Sequence, residues 1–539
     1  MLFSAGLGSG SNCWDGGIIR RGGQSDQGQQ LLERALSLAK YTHHLRYIIL
    51  WRRALATQAI SRGAYTEAKN HLTSALAQPG IDAAKPEYVP LFVWLSKVSL
   101  RLGEANAGLD YARQAVELAE KSGAADDIRM LAQAALGIAL RAAGNPGEAL
   151  PILTAVDPAY EHLSLGEVDY TYIDLLRNLA DAQIAAGDNS AASATYTRAL
   201  PAAESHNMPL EVAHILRDQG ALLFQQEQFE EAIAAWNKAI LLYAAQNDLA
   251  RATRLRCDVA NVRKYLGQGA RAMRDLTDAL TLLNRIDDRQ TRGLVLANAA
   301  IAYTDYGDRE TAAAFFVEAL EIAQSLDDRI AEATRRGNYG WFLLATGQST
   351  RALETLQMAL QQSEILGLKL QAAIQTGNIG LVYDSLEQRG QALDYHQRAL
   401  TLLGEVGSPH WTASANVNLG QTLLALGRLD EADALFTTAA QVGRTTQSAE
   451  LLLRAWNGQI ELALGQSRNE TASALIDEAM VLARRAENRR LLAETLRLRS
   501  RYHAQIGQRE QAVTDWEETL KLQKMLRPDR VDYTPEWLA

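Results

Sequence analysis

Cysteine is nearly absent from this chain: Cys13 and Cys257 are the only two in 539 residues, too few and too far apart to frame a scaffold of bridges, which fits a reducing compartment. Proline is scarce too, and none occurs between Pro209 and Pro409. No stretch approaches the roughly 18 apolar residues of a spanning helix, and the N-terminus lacks the charged region and apolar run of a secretory signal. A cytoplasmic protein with no membrane contact is the expectation. The net charge of −9 argues against a nucleic-acid binder, since attraction to phosphate needs a basic face. Catalytic signatures are missing as well. There is no phosphate-loop, HExxH or CxxC pattern, and the nine histidines are scattered. His43 and His44 are adjacent, so on a helix they project to different sides and make a poor metal pair. The run from Gly6 to Gly10 lacks the strand and helix of a phosphate loop, and Cys257, with no histidine held beside it, reads as a small packing residue. No catalytic residue, metal or cofactor is expected.

What the sequence does have is a repeat. Ala192, Ala232, Ala272, Ala312, Ala352, Ala392, Ala432, Ala472 and Ala512 follow one another at steps of 40, and the series extends back through Ala149, Gly108 and Ala68. Twelve residues before most of these lies another small one, among them Ala300, Gly340, Gly380 and Gly420; the eleventh unit slips to Gly458, which reads as a two-residue insertion in the following turn. A fixed period in the range of about 20 to 50 residues marks stacked supersecondary units, none of which can bury its apolar face alone. Each unit splits into two amphipathic helices. In one, the first runs from about Leu249 to Leu266 and the second from about Ala270 to Arg285, with Gly267 at the turn. Equivalent turn glycines stand at 63, 103, 144, 187, 307, 347, 427 and 507, while two units carry Glu227 and Glu387 there. The residue four beyond each alanine, such as Trp236, Phe316, Leu356, His396 or Phe436, is the expected filler between helices. Asp287, Asp288, Asp327 and Asp328 are placed to cap the following first helices.

Residues 1–28, with eight glycines, read as a degenerate or disordered segment, residues 29–526 as the helical array and residues 527–539 as a tail. Gln29 to Lys40 is expected to form the second helix of an incomplete first unit. The tail, with Tyr533 and Trp537, either folds back as a cap or reaches a neighbouring chain, which leaves a homo-oligomer open.

The pairs Leu419-Gly420, Ile379-Gly380 and Tyr339-Gly340, the aromatics Tyr303 and Tyr383 three later, the turn glycine and the alanine, bulky, alanine series in the second helix together resemble the tetratricopeptide repeats. The resemblance covers residues 42 to about 526 and implies an all-α fold, a right-handed α-α superhelix of about 12 helix pairs. It departs from the family in its 40-residue unit, where 34 is typical, and in its lack of prolines closing the second helix. Its long units and Asn-Leu-Gly pattern are similar to the kinesin light chain and the Pins-type spindle adaptors.

A polar column stands two residues before the first small position: Asn178, Asp218, Asp258, Asn298, Asn338, Asn378 and Asn418. Asparagine is a poor interior helix former, so its return at one register position needs a reason. The resemblance implies that these residues face an extended peptide in a concave groove, where an amide can pair with any main chain. A second role fits equally: hydrogen bonds across adjacent first helices that hold the stack in register. Arg177, Arg217, Arg254 and Lys264 are expected on the inner face beside the column, and the stretch from Arg251 to Arg274 carries seven basic residues. Further on, Leu294, Ile301, Trp341, Leu344, Ile374 and Leu381 make that face apolar, with Trp341 a candidate anchor. A partner with an acidic and a hydrophobic end would suit this gradient. Alternatively the arginines pair with acids such as Asp248, Asp275 and Asp278. By the resemblance, the function implied is a non-catalytic scaffold that holds an extended segment of a partner protein. The second reading, from the sequence's shape, is a sensor or regulatory module working through a separate ATPase, protease or transcription factor.

Overall fold

The computed structural model describes residues 26–78, 85–160, 168–527 and 535–538, and among these are twenty-five α-helices and no strand. They fall into two compact units, Met1–Gln226 and Glu227–Ala539. The first holds α1 (Asp26–Tyr41), α2 (Leu45–Ser61), α3 (Tyr65–Leu76), α4 (Val89–Arg101), α5 (Ala105–Lys121), α6 (Asp126–Ala142), α7 (Pro146–Tyr160), α8 (Val168–Ala185), α9 (Asn189–Ser205) and α10 (Pro209–Gln225). The second holds α11 (Phe229–Ala245), α12 (Leu249–Tyr265), α13 (Gly269–Leu282), α14 (Arg289–Tyr306), α15 (Arg309–Ser325), α16 (Arg329–Ala345), α17 (Ser349–Ile365) and α18 (Lys369–Ser385). It continues with α19 (Arg389–Val406), α20 (Pro409–Ala425), α21 (Leu429–Thr445), α22 (Ala449–Gly465), α23 (Asn469–Ala486), α24 (Arg489–Gln505) and α25 (Arg509–Leu526). In the first unit α2 to α9 form four packed pairs, and in the second α12 to α25 form seven, all-α and repetitive as the spacing predicts.

The period has a simple origin. In the unit built from α16 and α17 each helix is 17 residues long, and a three-residue turn follows each. Both turns need one residue in the left-handed region, supplied here by Gly347 (φ +84°) and Gly367 (φ +68°). Glu227 and Glu387 take the same conformation, at φ 61° and 62°, because the chain must reverse there whichever residue is present. Asp288 and Asp328 cap their helices, accepting from the backbone amides of Gln290 and Ala331. Asp287 and Asp327 do not: Asp327 occupies the left-handed turn position instead (φ 50°).

The two small positions are where a pair of helices touches. A Cβ added to Gly340 would stand 2.6 Å from Leu356 Cγ, and one on Gly420 would stand 2.7 Å from Phe436 Cε1. The filler sixteen residues after each glycine therefore lies directly over it. Ala352, Ala392 and Ala432 are wholly buried, as are Leu356, His396 and Phe436. In the eleventh unit the turn keeps its ordinary length and no insertion is present. Ile460 fills the small position there, and Gly458 accommodates Phe436 of the preceding unit, 2.5 Å from where its Cβ would be.

Residues 1–25, most of the glycine-rich segment, lie outside the described residues, as do Pro528 and Tyr533 of the tail. The expected helix from Gln29 to Lys40 is found within α1. Trp537 stacks edge-on against Trp516 of the last helix, ring centres 5.6 Å apart. Because Ala352 has no exposed surface, Ala352→Leu is expected to overpack its pair and cost about 1 to 3 kcal/mol, read as a lower midpoint in urea unfolding with unchanged slope.

Candidate functional site

Two residues along a helix is a rotation of about 200°, so when Gly340 or Gly380 faces its own second helix, the residue two before it points the opposite way. In residues 227–539 that opposite direction is the inner wall. Seven consecutive first helices, from α12 to α24, surround a cavity of about 1090 Å³, joined by Arg389 and Leu429 from the starts of α19 and α21. Of the residues singled out by spacing, Lys264, Asn338, Trp341, Asn378 and Asn418 line it, together with Ile301, Ile374 and Leu381. Arg254, Asp258 and Asn298 belong to the same unit but are not among its lining residues. Asn178, Asp218, Arg177 and Arg217 belong to the first unit.

The column divides according to what each side chain bonds. Asn178 accepts from Arg141 Nε at 2.6 Å and donates to the Asp174 carbonyl at 2.6 Å. Asp218 accepts from Arg177 of the preceding first helix at 2.9 Å and from its neighbour Arg217 at 2.5 Å. Asn298 accepts from Asn261 at 3.1 Å, and buried Asn418 accepts from Arg454, whose other arm reaches Ser414 Oγ at 2.8 Å. Most of these bonds tie one first helix to the next. Asn338 and Asn378 are different. Half-buried on the cavity wall, neither amide has a hydrogen-bond partner among the described residues.

Asp258 is likewise without a partner. It is exposed, yet the protein crowding it withdraws enough solvent to push its carboxyl up to about 6. Arg254, one turn before it, turns instead to the next first helix, meeting Asp288 at 2.6 Å and Thr291 Oγ1 at 2.5 Å. All four basic residues expected at the groove are thus already paired: Arg177 also holds Glu211 at 3.3 Å, and Lys264 holds Asp305 at 2.6 Å. Arg251, Arg256 and Arg263 pair with Asp248, Asp278 and Asp275.

Spacing did not reveal the far side of the cavity, where Glu450, Arg454, Arg490 and His410 face Lys264 and Trp341. Burial would raise the Glu450 carboxyl, but Lys264, Arg490 and Arg454 hold it below the usual range. Burial likewise works against the charge on Lys264, and Asp305 and Glu450 outweigh it, so its ammonium is held above the ordinary value. Desolvation lowers His410, which is therefore neutral at neutral pH. The Arg490 guanidinium stands 5.8 Å from the centre of the Trp341 ring. The lining carries five basic side chains (Lys264, Arg389, Arg454, Arg490, Arg501) and five acidic ones (Asp305, Asp384, Glu450, Glu461, Glu494), so it has no net sign. The available signal was register: Arg454 stands in the position of Arg254, five units on.

The tetratricopeptide-repeat family model matches residues 370–445, the segment that contributes Asn378 and Asn418 to the wall. A 65-residue stretch, 12% of the chain, is 43% identical to human G-protein-signaling modulator 1 and spans 10% of that protein's length. Among solved structures, the anaphase-promoting complex hetero-tetramer Cut9–Hcn1 aligns with a TM-score of 0.50 at 13% identity, covering 90% of this chain and 89% of that one. A Rap protein complexed with competence and sporulation factor aligns at 0.40 and 14% identity, over 83% of this chain and 100% of that one. Residues 370–445 are thus tetratricopeptide repeats, and the same helix pair recurs on both sides of that segment.

An acid whose folded value lies above its unfolded one binds its proton more tightly when folded, so stability falls as pH rises through roughly 4 to 6. Asp258→Asn, the residue type of five other units, is expected to raise stability near pH 7 by about 1 kcal/mol once the exposed position is allowed for, seen as a higher melting temperature, and to have little effect near pH 4. A pH series of thermal melts on both proteins checks this.

Proposed function

We propose that the chain is a non-catalytic protein-interaction scaffold whose wall of first helices takes an extended segment of a partner protein, with the cavity of residues 227–539 as its principal site. The observation that carries this reading is the pair Asn338 and Asn378: consecutive in the column, on the wall of a 1090 Å³ cavity, and bonded to nothing else among the described residues. An amide offers two donors and an acceptor, so two of them, one repeat apart, can pair with a polypeptide main chain whatever its side chains. Ile301, Trp341, Ile374 and Leu381 lie beside them as apolar floor for alternate side chains. The volume exceeds the roughly 300 to 1,000 Å³ of small-molecule pockets. Because the ionic lining is balanced, it favours a segment of mixed polarity over an acidic one.

Asn178, Asp218, Asn298 and Asn418 bond neighbouring side chains and serve the stack, so the two roles separate by mutation. The double variant Asn338→Ala, Asn378→Ala should weaken capture of a partner purified from the source cell by about 1 to 3 kcal/mol, while the melting temperature stays nearly unchanged. Calorimetric titration and a thermal melt on the same sample measure both. A large drop in melting temperature with affinity preserved would assign these residues to stacking.

A further inference from the structure

Three of the turn glycines stand apart from the rest. A Cβ at Gly63, Gly103, Gly144, Gly187, Gly427 or Gly507 would meet nothing within 4 Å. One at Gly267 would stand 2.8 Å from Ala449 Cβ, one at Gly307 would stand 3.3 Å from Met525 Cβ, and one at Gly347 would stand 3.3 Å from Arg527 Cδ. These are three successive turns, and each meets chain about 180 to 220 residues away: Arg485 donates to the Leu266 carbonyl at 3.4 Å, Arg527 to the carbonyls of Leu344 and Ala345 at 3.3 and 3.2 Å. Arg489 lies over the Tyr306 ring at 3.8 Å. Residues 227–539 therefore coil until one edge of the array touches the other, five units on. The seam is built from arginines set against helix C-terminal carbonyls and an aromatic face, contacts that complement the negative end of a helix and a ring quadrupole without a large apolar interface.

We propose, resting on the reading of the cavity as a polypeptide site, that residues 227–539 form a closed ring and that the partner enters it by a free chain end. With the wall continuous around the cavity, a segment that joins two folded domains cannot reach Asn338 and Asn378 unless the seam parts, whereas a tail can be threaded. Glycine thus has a second use at these turns, beyond φ: a Cβ at Gly267 would clash with Ala449, and one at Gly307 or Gly347 would press on Met525 or Arg527. Arg485, Arg489 and Arg527 are the gate residues. The partner class this selects is a protein with an unstructured terminus, and interior loops of folded proteins are excluded.

Two measurements on the full chain test this. Spin labels on Ala270→Cys and Arg484→Cys, in a Cys13→Ser background, report the seam directly; Cys257 can stay, since burial pushes its thiol up to about 12 and it does not react. A single short distance is expected, and a broad or long distribution overturns closure. Random short peptides are then selected on the immobilised chain in two formats, displayed with a free end or inserted between two folded domains. Enrichment is expected only in the free-ended format, and Arg485→Ala, Arg489→Ala, Arg527→Ala should restore enrichment of the flanked one; Arg527→Ala alone replaces the triple variant if circular dichroism shows lost helix. Equal enrichment in both formats by the unaltered chain overturns the ring while leaving the polypeptide site standing. Enrichment in neither overturns the site, and this inference with it.

Discussion

Contact between a residue with almost no side chain and a bulky one sixteen positions later is the constraint that the second unit depends on. Gly340 under Leu356 and Gly420 under Phe436 leave no space for even a methyl group on the glycine. The glycine side of the first helix is thereby committed to its own partner helix. The inner wall is what remains, because the opposite side cannot also face that partner. Repetition at every 40 residues then lays successive inner faces side by side.

On that wall, polar residues divide into those that satisfy one another and those that do not. Charges brought into a partly buried setting are costly unless paired, and the structure pairs Lys264 with Asp305 and Arg254 with Asp288, as it pairs Arg177 with Asp218 within the first unit. These links run from one first helix to the next and add register to a stack whose packing is otherwise periodic. The amides of Asn338 and Asn378 sit where no arginine reaches across, unlike Asn178 and Asn418. A neutral amide tolerates that position far better than a carboxylate would, as the raised carboxyl of Asp258 illustrates.

Most of the fold was legible in the sequence because it is local. The alanine and glycine columns, the left-handed turns at Gly347 and even Glu387, and the fillers Leu356 and His396 all follow from spacing within one unit. The site was legible in part. Register placed Asn338, Trp341, Asn378 and Asn418 on one wall, yet it could not separate an amide with a partner from one without, since Arg454 bonds Asn418 while no equivalent arginine stands after Asn338 or Asn378. Arg254 pairs with Asp288 because the nearest acid along the helix, Asp258, is not the nearest acid in space. Glu450 and Arg490 were invisible to a one-unit reading: they face Lys264 and Trp341 only because the array curves back over five units.

The wall of first helices in residues 227–539 is the proposed surface for another polypeptide. Hydrogen exchange on the full chain, alone and with a partner recovered from the source cell, tests it most directly. Added protection is expected in Arg329–Ala345, Lys369–Ser385 and Pro409–Ala425, with the second helices unchanged. Protection confined to the outer faces of Ser349–Ile365 and Arg389–Val406 would contradict it.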